Sequence, residues 1–356
     1  MQKDSRRFLE ALHNAESPSG SEHKAKAVFK EYVKGSIDSI TNDCIGNTVA
    51  CLEPLKPKGS IMLAGHIDEI GLMVRYIDEN GYLFCSAVGG IDPAVLPGKR
   101  VRFVNRKGSL IPGVIGKKPI HLLDAKDREK AVSMDDLFVD IGCLKKKEAE
   151  KMIDLGDVGV IDHGLTLLHN DLAVARAFDD RIGVYIIAEV LKKLAPQKKK
   201  LNYRVLGVAT TQEEIGLRGA TVAAYNIKPD LAIALDVTHA IDYPDISKKK
   251  FGDISLGKGG AIVRGPNIHP WISNRLIETA RQKKIPHQLL ANPRPTGTDA
   301  NTIQITRGGI PAGLIGIPLR YMHTPSEVLS LKDVDSIVNL VCEFILSLKD
   351  EINFSY

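Results

Sequence analysis

Cysteine is scarce in this 356-residue chain, and what there is does not pair. Cys44, Cys51, Cys85, Cys143 and Cys342 are odd in number, widely scattered and form no Cys-x-x-Cys motif. That argues against both a disulfide framework and a thiolate zinc site. Long apolar runs are also missing. None approaches the roughly 20 residues needed to span a bilayer, and the best candidate, 337–348, is interrupted by Asn339 and Glu343. The N-terminus carries charges where a secretory signal needs an apolar stretch. Excess charge of one sign is absent as well: 48 Lys+Arg against 43 Asp+Glu leave a formal +5, too mild to suggest a nucleic-acid partner. The basic runs at 145–147, 198–200 and 248–250 carry no interleaved aromatics for base stacking. Repeats and low-complexity tracts are lacking too. What remains is an ordinary globular composition, 44% hydrophobic and 26% charged, with enough material for one large or two smaller cores. The expectation is a reduced, soluble, cytoplasmic protein with no membrane and no nucleic acid among its partners.

Apolar periodicity predicts helices over 6–12, 21–33, 180–194, 271–283 and 331–348, and allows one within 214–225. Short apolar runs predict buried strands at 59–65, 203–211, 230–236 and 310–317. Strands alternating with helices of this length imply an α/β fold, a mostly parallel mixed sheet sandwiched by helices. The stretch from about 70 to 162 has another texture. It is rich in Gly and Pro (Gly89-Gly90, Pro97-Gly98, Pro112-Gly113), with short alternating runs at 100–104 and 137–141. That is the pattern of a small β-rich domain inserted into the α/β domain. The expected division is therefore 1–69 and 163–356 for the α/β domain and 70–162 for the insertion.

Five places gather His, Asp and Glu at the ends of these strands, where open α/β sheets put their ligands. In His66-Ile-Asp68 the two side chains point to one side of an extended chain, so the carboxylate can orient the imidazole. Asp179-Asp180 precede a helix; one of them suffices as its N-cap, and the other is free to bind a metal. Glu213-Glu214 follow the strand 203–211, where two neighbouring carboxylates can converge on a cation or lie in the first turn of a helix. Asp236 ends an apolar strand and needs a partner if buried. His323 lies in Tyr321-Met-His323-Thr-Pro325-Ser-Glu327. Two histidines with several carboxylates and no cysteine suit Zn²⁺, Co²⁺ or Mn²⁺, and a pair of such ions is a clamp used by hydrolases.

Taken in order, His66-Ile-Asp68-Glu-Ile-Gly71, Phe178-Asp179-Asp180-Arg181, Glu213-Glu214-Ile-Gly216, Asp236 and Tyr321-Met-His323-Thr-Pro325 resemble the co-catalytic metallopeptidases of the glutamyl-aminopeptidase and tetrahedral (TET) aminopeptidase type. The resemblance spans nearly the whole chain, insertion included. It implies a zinc-peptidase-like catalytic domain and an inserted small β-barrel or PDZ-like domain used for dimerisation, with dimers assembling into a dodecamer. It also implies two divalent ions per subunit, Zn²⁺ or Co²⁺, with Asp179 bridging them. His66 and Asp236 would complete one site, Glu214 and His323 the other. Glu213 would be the general base acting on a metal-bridging water, Asp68 would orient His66, and a cis peptide would follow Asp179. The substrates would be peptides with a free N-terminus. The segment Arg294-Pro-Thr-Gly-Thr-Asp299-Ala also resembles the family, and 315–320 could wall the side-chain pocket. Competing activities are a carboxypeptidase or deacylase of the same clan, which would share nearly every ligand, and a glycoside hydrolase. The latter needs two carboxylates and leaves both histidines without a role.

Overall fold

In the computed structural model, which describes residues 2–352 and 354, the strands alternate their side chains between two apolar layers. In β3 (Gly59–His66), Ile61 and Leu63 enter one cluster while Met62 and Ala64 enter another on the opposite face. The same period of two runs through β12 (Tyr203–Thr210), β13 (Leu231–His239) and β16 (Ala312–Arg320). Such strands are buried on both faces, which is why they read as continuous apolar runs. The larger cluster is covered by the helices Lys3–Asn14, His23–Val33, Phe178–Leu194, Pro270–Gln282 and Leu331–Ser347; the smaller one by Arg218–Ile227 and Asp299–Gln304. The helical sandwich expected from the periodicity is present.

The remaining strands of the eleven-stranded sheet are β1 (Ser39–Asn42), β2 (Thr48–Leu52), β10 (Thr166–Leu167), β11 (Leu172–Ala175), β14 (Gly260–Arg264), β15 (His287–Ala291) and β17 (Glu327–Ser330). The order is β1-β2-β12-β3-β13-β16-β17-β11-β10, with β14 branching from β16 to β15. The sheet is mixed, and the expectation of a mostly parallel one holds only at its centre. β12, β3, β13 and β16 are parallel, as are β14 and β15, whereas both margins pair antiparallel. Short connections join β1 to β2, β10 to β11 and β16 to β17, and such antiparallel neighbours need no helical crossover.

Between β3 and β10 lies a closed antiparallel barrel. Its strands β4 (Gly71–Ile77), β5 (Leu83–Val88), β6 (Arg100–Val104), β7 (Leu110–Gly116), β8 (Phe138–Asp140) and β9 (Val158–Ile161) follow the order β4-β5-β8-β7-β6-β9. The inward residues form a core of their own around Leu72, Phe103, Ile115 and Val139. Closure leaves no unpaired sheet edge.

Candidate active site

The carboxyl ends of the four parallel strands converge. His66 ends β3 beside Thr210 of β12, Asp236 lies on β13 beside Gly316 of β16, and His323 follows β16. Asp179 and Asp180 reach them from the start of the helix Phe178–Leu194, joined by a cis peptide bond. The carboxylate of Asp179 lies between the two histidines: Oδ1 is 3.1 Å from His66 Nε2 and Oδ2 is 3.2 Å from His323 Nε2. Glu214 Oε2 is 3.4 Å from His323 Nε2, and Glu213 Oε2 is 3.8 Å from His66 Nε2. Ligand atoms of His66, Glu213 and Asp236 lie within 4.8 Å of one another, and so do those of His66, Asp179 and Glu214.

The two aspartates have separate tasks. Asp180 Oδ1 accepts the Gly183 N–H (3.2 Å), the bond of a helix cap, and Oδ2 accepts the His66 N–H (3.2 Å). Asp179 is thereby left to face the histidines. Glu213 and Glu214 precede the helix Arg218–Ile227 rather than lying in its first turn. Their N–H groups donate to Asp68 Oδ1 and Oδ2 (3.1 and 3.2 Å), and Ser19 Oγ donates to Asp68 Oδ2 (2.5 Å). Behind His66, Nδ1 lies 3.2 Å from the backbone oxygen of Asp68 and 3.6 Å from its carboxylate. Asp68 thus fixes the Glu213-Glu214 backbone as well as flanking the imidazole.

Crowding buried carboxylates together has an electrostatic cost. Burial pushes the Glu213 carboxyl up to about 10; His66 pulls against that, while Asp236, Asp299 and Glu214 add to it. Burial likewise raises Asp236 and Asp180 well above the usual carboxylate range. For His66 burial works downward, but Glu213, Asp179 and Asp68 outweigh it and the net shift is upward. Hydrogen bonds to Asp179 and then Glu214 lift His323 to about 11. Asp179, opposed by burial, is held low by His323 and His66. Glu214 Oε1 is buried without a hydrogen-bond partner. A site with more buried carboxyl groups than two histidines can pair, several of them held protonated by the crowding, and with an unmatched carboxylate oxygen, fits divalent cations held by nitrogen and oxygen.

Several participants carry no role in the sequence reading. Glu327, quoted within the His323 motif, accepts the Asp179 N–H (3.0 Å) and the His323 N–H (2.8 Å) from a fully buried position. Asp299 accepts the Thr210 hydroxyl at 2.6 Å, one residue position from His66 across the sheet, and burial raises it to about 6. From the barrel, Gly89 and Gly90 pack so closely that a Cβ would meet Glu214 Cβ at 3.2 Å and His323 Nδ1 at 3.1 Å. The resemblance to a Gly-Thr-Asp-Ala segment near the site pointed toward Asp299; the glycine pair read as a plain turn.

A model of the family described as M42 glutamyl aminopeptidase matches residues 46–340. The chain belongs to the M42 glutamyl aminopeptidase family. It is 38% identical over 339 residues to a lysyl aminopeptidase of Pyrococcus furiosus, covering 94% of this chain and 95% of that one. Among solved structures it superposes on a TET aminopeptidase from a marine-sediment Thaumarchaeota archaeon with a TM-score of 0.92 at 35% identity, covering 97% and 96% of the two chains. The TET1 peptidase of Pyrococcus horikoshii, described as assembling into a tetrahedron or a large octahedral shell, matches with a TM-score of 0.86 at 29% identity over 97% and 100%. As an M42 chain, the protein is a metallo-aminopeptidase, a hydrolase. Among the described residues no helix is long and apolar enough to cross a membrane.

Proposed function

We propose that this M42 peptidase removes N-terminal residues from peptides with two divalent cations, Zn²⁺ or Co²⁺, and Glu213 as general base. The observation that carries this reading is the Asp179 carboxylate, which presents one oxygen to His66 and the other to His323. His66, Asp179 and Asp236 would hold one cation, and Glu214, Asp179 and His323 the other. When bound, the ions supply Lewis-acid polarisation of the scissile carbonyl and acidification of the attacking water. With cations beside it to favour its charged form, Glu213 would take the proton from that water and return it to the leaving amine, a transfer its carboxylate can reach from beside His66. Asp68 keeps Glu213 and Glu214 aimed through their N–H groups.

Residues 1–69 and 163–356 act as the catalytic domain, and 70–162 as a dimerisation domain from which a TET-like dodecamer is built. Exposed apolar residues on and beside the barrel, among them Leu110, Val114, Ile120 and Leu122, support assembly through this part of the chain. The five free cysteines fit work in a reducing cytoplasm.

The test is release of the first residue from peptides with free and acetylated N-termini, before and after metal stripping and Zn²⁺ or Co²⁺ add-back. Expected is cleavage of free N-termini alone, lost on stripping, restored by metal, and reduced by roughly 10²–10⁴-fold in a Glu213→Gln protein that still binds two ions. Cleavage of blocked substrates only would replace this reading with a deacylase. Activity indifferent to metal would end it.

A further inference from the structure

Building on the aminopeptidase reading above, we infer that the pocket beside the carboxylate–histidine cluster selects aliphatic N-terminal residues, not the glutamyl or lysyl residues of the family's and relative's names. A cleft of about 580 Å³ opens over the cluster and runs along β13 to β16. With the scissile bond at Glu213 and Asp179, the first side chain of a substrate extends along this wall.

Beyond the cluster the wall is partly apolar: an apolar set shares it with Thr238, Asn292, Thr296 and Thr298. Val263 of β14 and Leu290 of β15 are register partners, and Leu314 comes from β16. Val263 and Leu314 belong to a separate small core with Ala234, Ile268 and Ala300, against which Leu290 packs half-buried. Met322 also lines the cleft. The ionisable side chains lining it are the six of the cluster, from His66 to His323, together with His239; among the described residues no lysine or arginine lines it. Arg264, next to Val263, alternates away from it and donates to Asn274 Oδ1 at 2.9 Å.

The rim is engaged with itself. Asn267 Nδ2 donates to Thr296 Oγ1 (3.1 Å), and the Thr296 and Thr298 hydroxyls are 2.9 Å apart. A glutamyl carboxylate extended along this wall, away from the cluster, would find no lysine or arginine to pair it. A lysyl ammonium reaching past the carboxylates toward Val263 and Leu290 would exchange water for the few neutral oxygens of Asn292, Thr296 and Thr298. An aliphatic chain loses water and gains contact.

The experiment measures kcat/KM of the metal-loaded full-length enzyme on peptides beginning with Leu, Met, Ala, Glu or Lys. Leu and Met are expected to exceed Ala by roughly 10–100-fold, and Glu and Lys by roughly 100-fold or more. Leu290→Lys is expected to shift the Leu-to-Glu ratio toward Glu by roughly tenfold or more, and the milder Leu290→Ala to narrow the Leu-to-Ala ratio. Leading rates on Glu or Lys in the wild type would overturn the inference while leaving the aminopeptidase reading intact. So would unchanged ratios in folded Leu290 variants. Cleavage of none of the five would sink the aminopeptidase reading, and this inference with it.

Discussion

Glu327 works on backbone groups, tying the two histidines' shared neighbour to one of the histidines. Its two oxygens take the N–H groups of Asp179 and His323, residues 148 and 4 positions away in the chain. Burial, followed by repulsion from Asp179, raises its carboxyl well above the ordinary range. Replacing it with glutamine keeps the shape but turns one acceptor into a donor facing an N–H. Glu327→Gln is expected to lower metal affinity or kcat/KM roughly 10–100-fold with little change in size or fold, as is usual for groups that orient ligands. Metal titration beside steady-state kinetics checks it; unchanged values in both would remove Glu327 from the positioning apparatus. The metal-type residues were legible because polar groups ending apolar strands stand out. Glu327 sat in a quoted motif without a role because its work is done on backbone groups, which no spacing of side chains discloses.

At the scale of elements, two of the joined segments are locked by charge. Arg181, fully buried two residues beyond Asp179, donates to Glu69 Oε1 at 2.6 Å, and Arg176 lies 3.4 Å from Glu69 Oε2. The same guanidinium groups reach the end of the first helix: Arg181 donates to the Leu12 oxygen at 2.8 Å and Arg176 to the Ala15 oxygen at 3.2 Å. The loop after β3, the start of the helix Phe178–Leu194 and the end of Lys3–Asn14 therefore share one ionic joint. Arg181→Met strands part of a buried carboxylate and is expected to cost about 3 kcal/mol in denaturant unfolding, a loss that Glu69→Gln on the same chain should partly offset. Additive losses in the double variant would show that the pair does not act as a unit. Helices were legible at this scale because their apolar stripes are long. The strands β1, β2, β10 and β11 were not, since they are short and β1 and β10 are mostly exposed, and their absence from the reading made the sheet look more parallel than it is.

For the whole molecule, the proposed cations are a thermodynamic brace, since they bind the folded arrangement of residues drawn from across 66–323 and not the open chain. Stripping is expected to lower Tm and add-back to restore it, corresponding to roughly 4 kcal/mol when free metal exceeds Kd about a thousandfold. A melting curve indifferent to chelation and add-back would contradict the fit of the carboxylate cluster to metal. The insertion as a texture was visible in the run of Gly and Pro; that it is a barrel came from the family resemblance alone, because closure depends on β9 pairing with both β4 and β6, a long-range fact.

Gly89 and Gly90 leave the end of β5 and press against Glu214 and His323, so the barrel backs two members of the cluster. The barrel is therefore no interchangeable cassette. A chimaera that takes it from another protein inherits a different neighbour for Glu214 and His323, and even an alanine at position 90 would press on the His323 ring. Whatever selection adjusts elsewhere on the barrel, it must do so with those two residues kept bare.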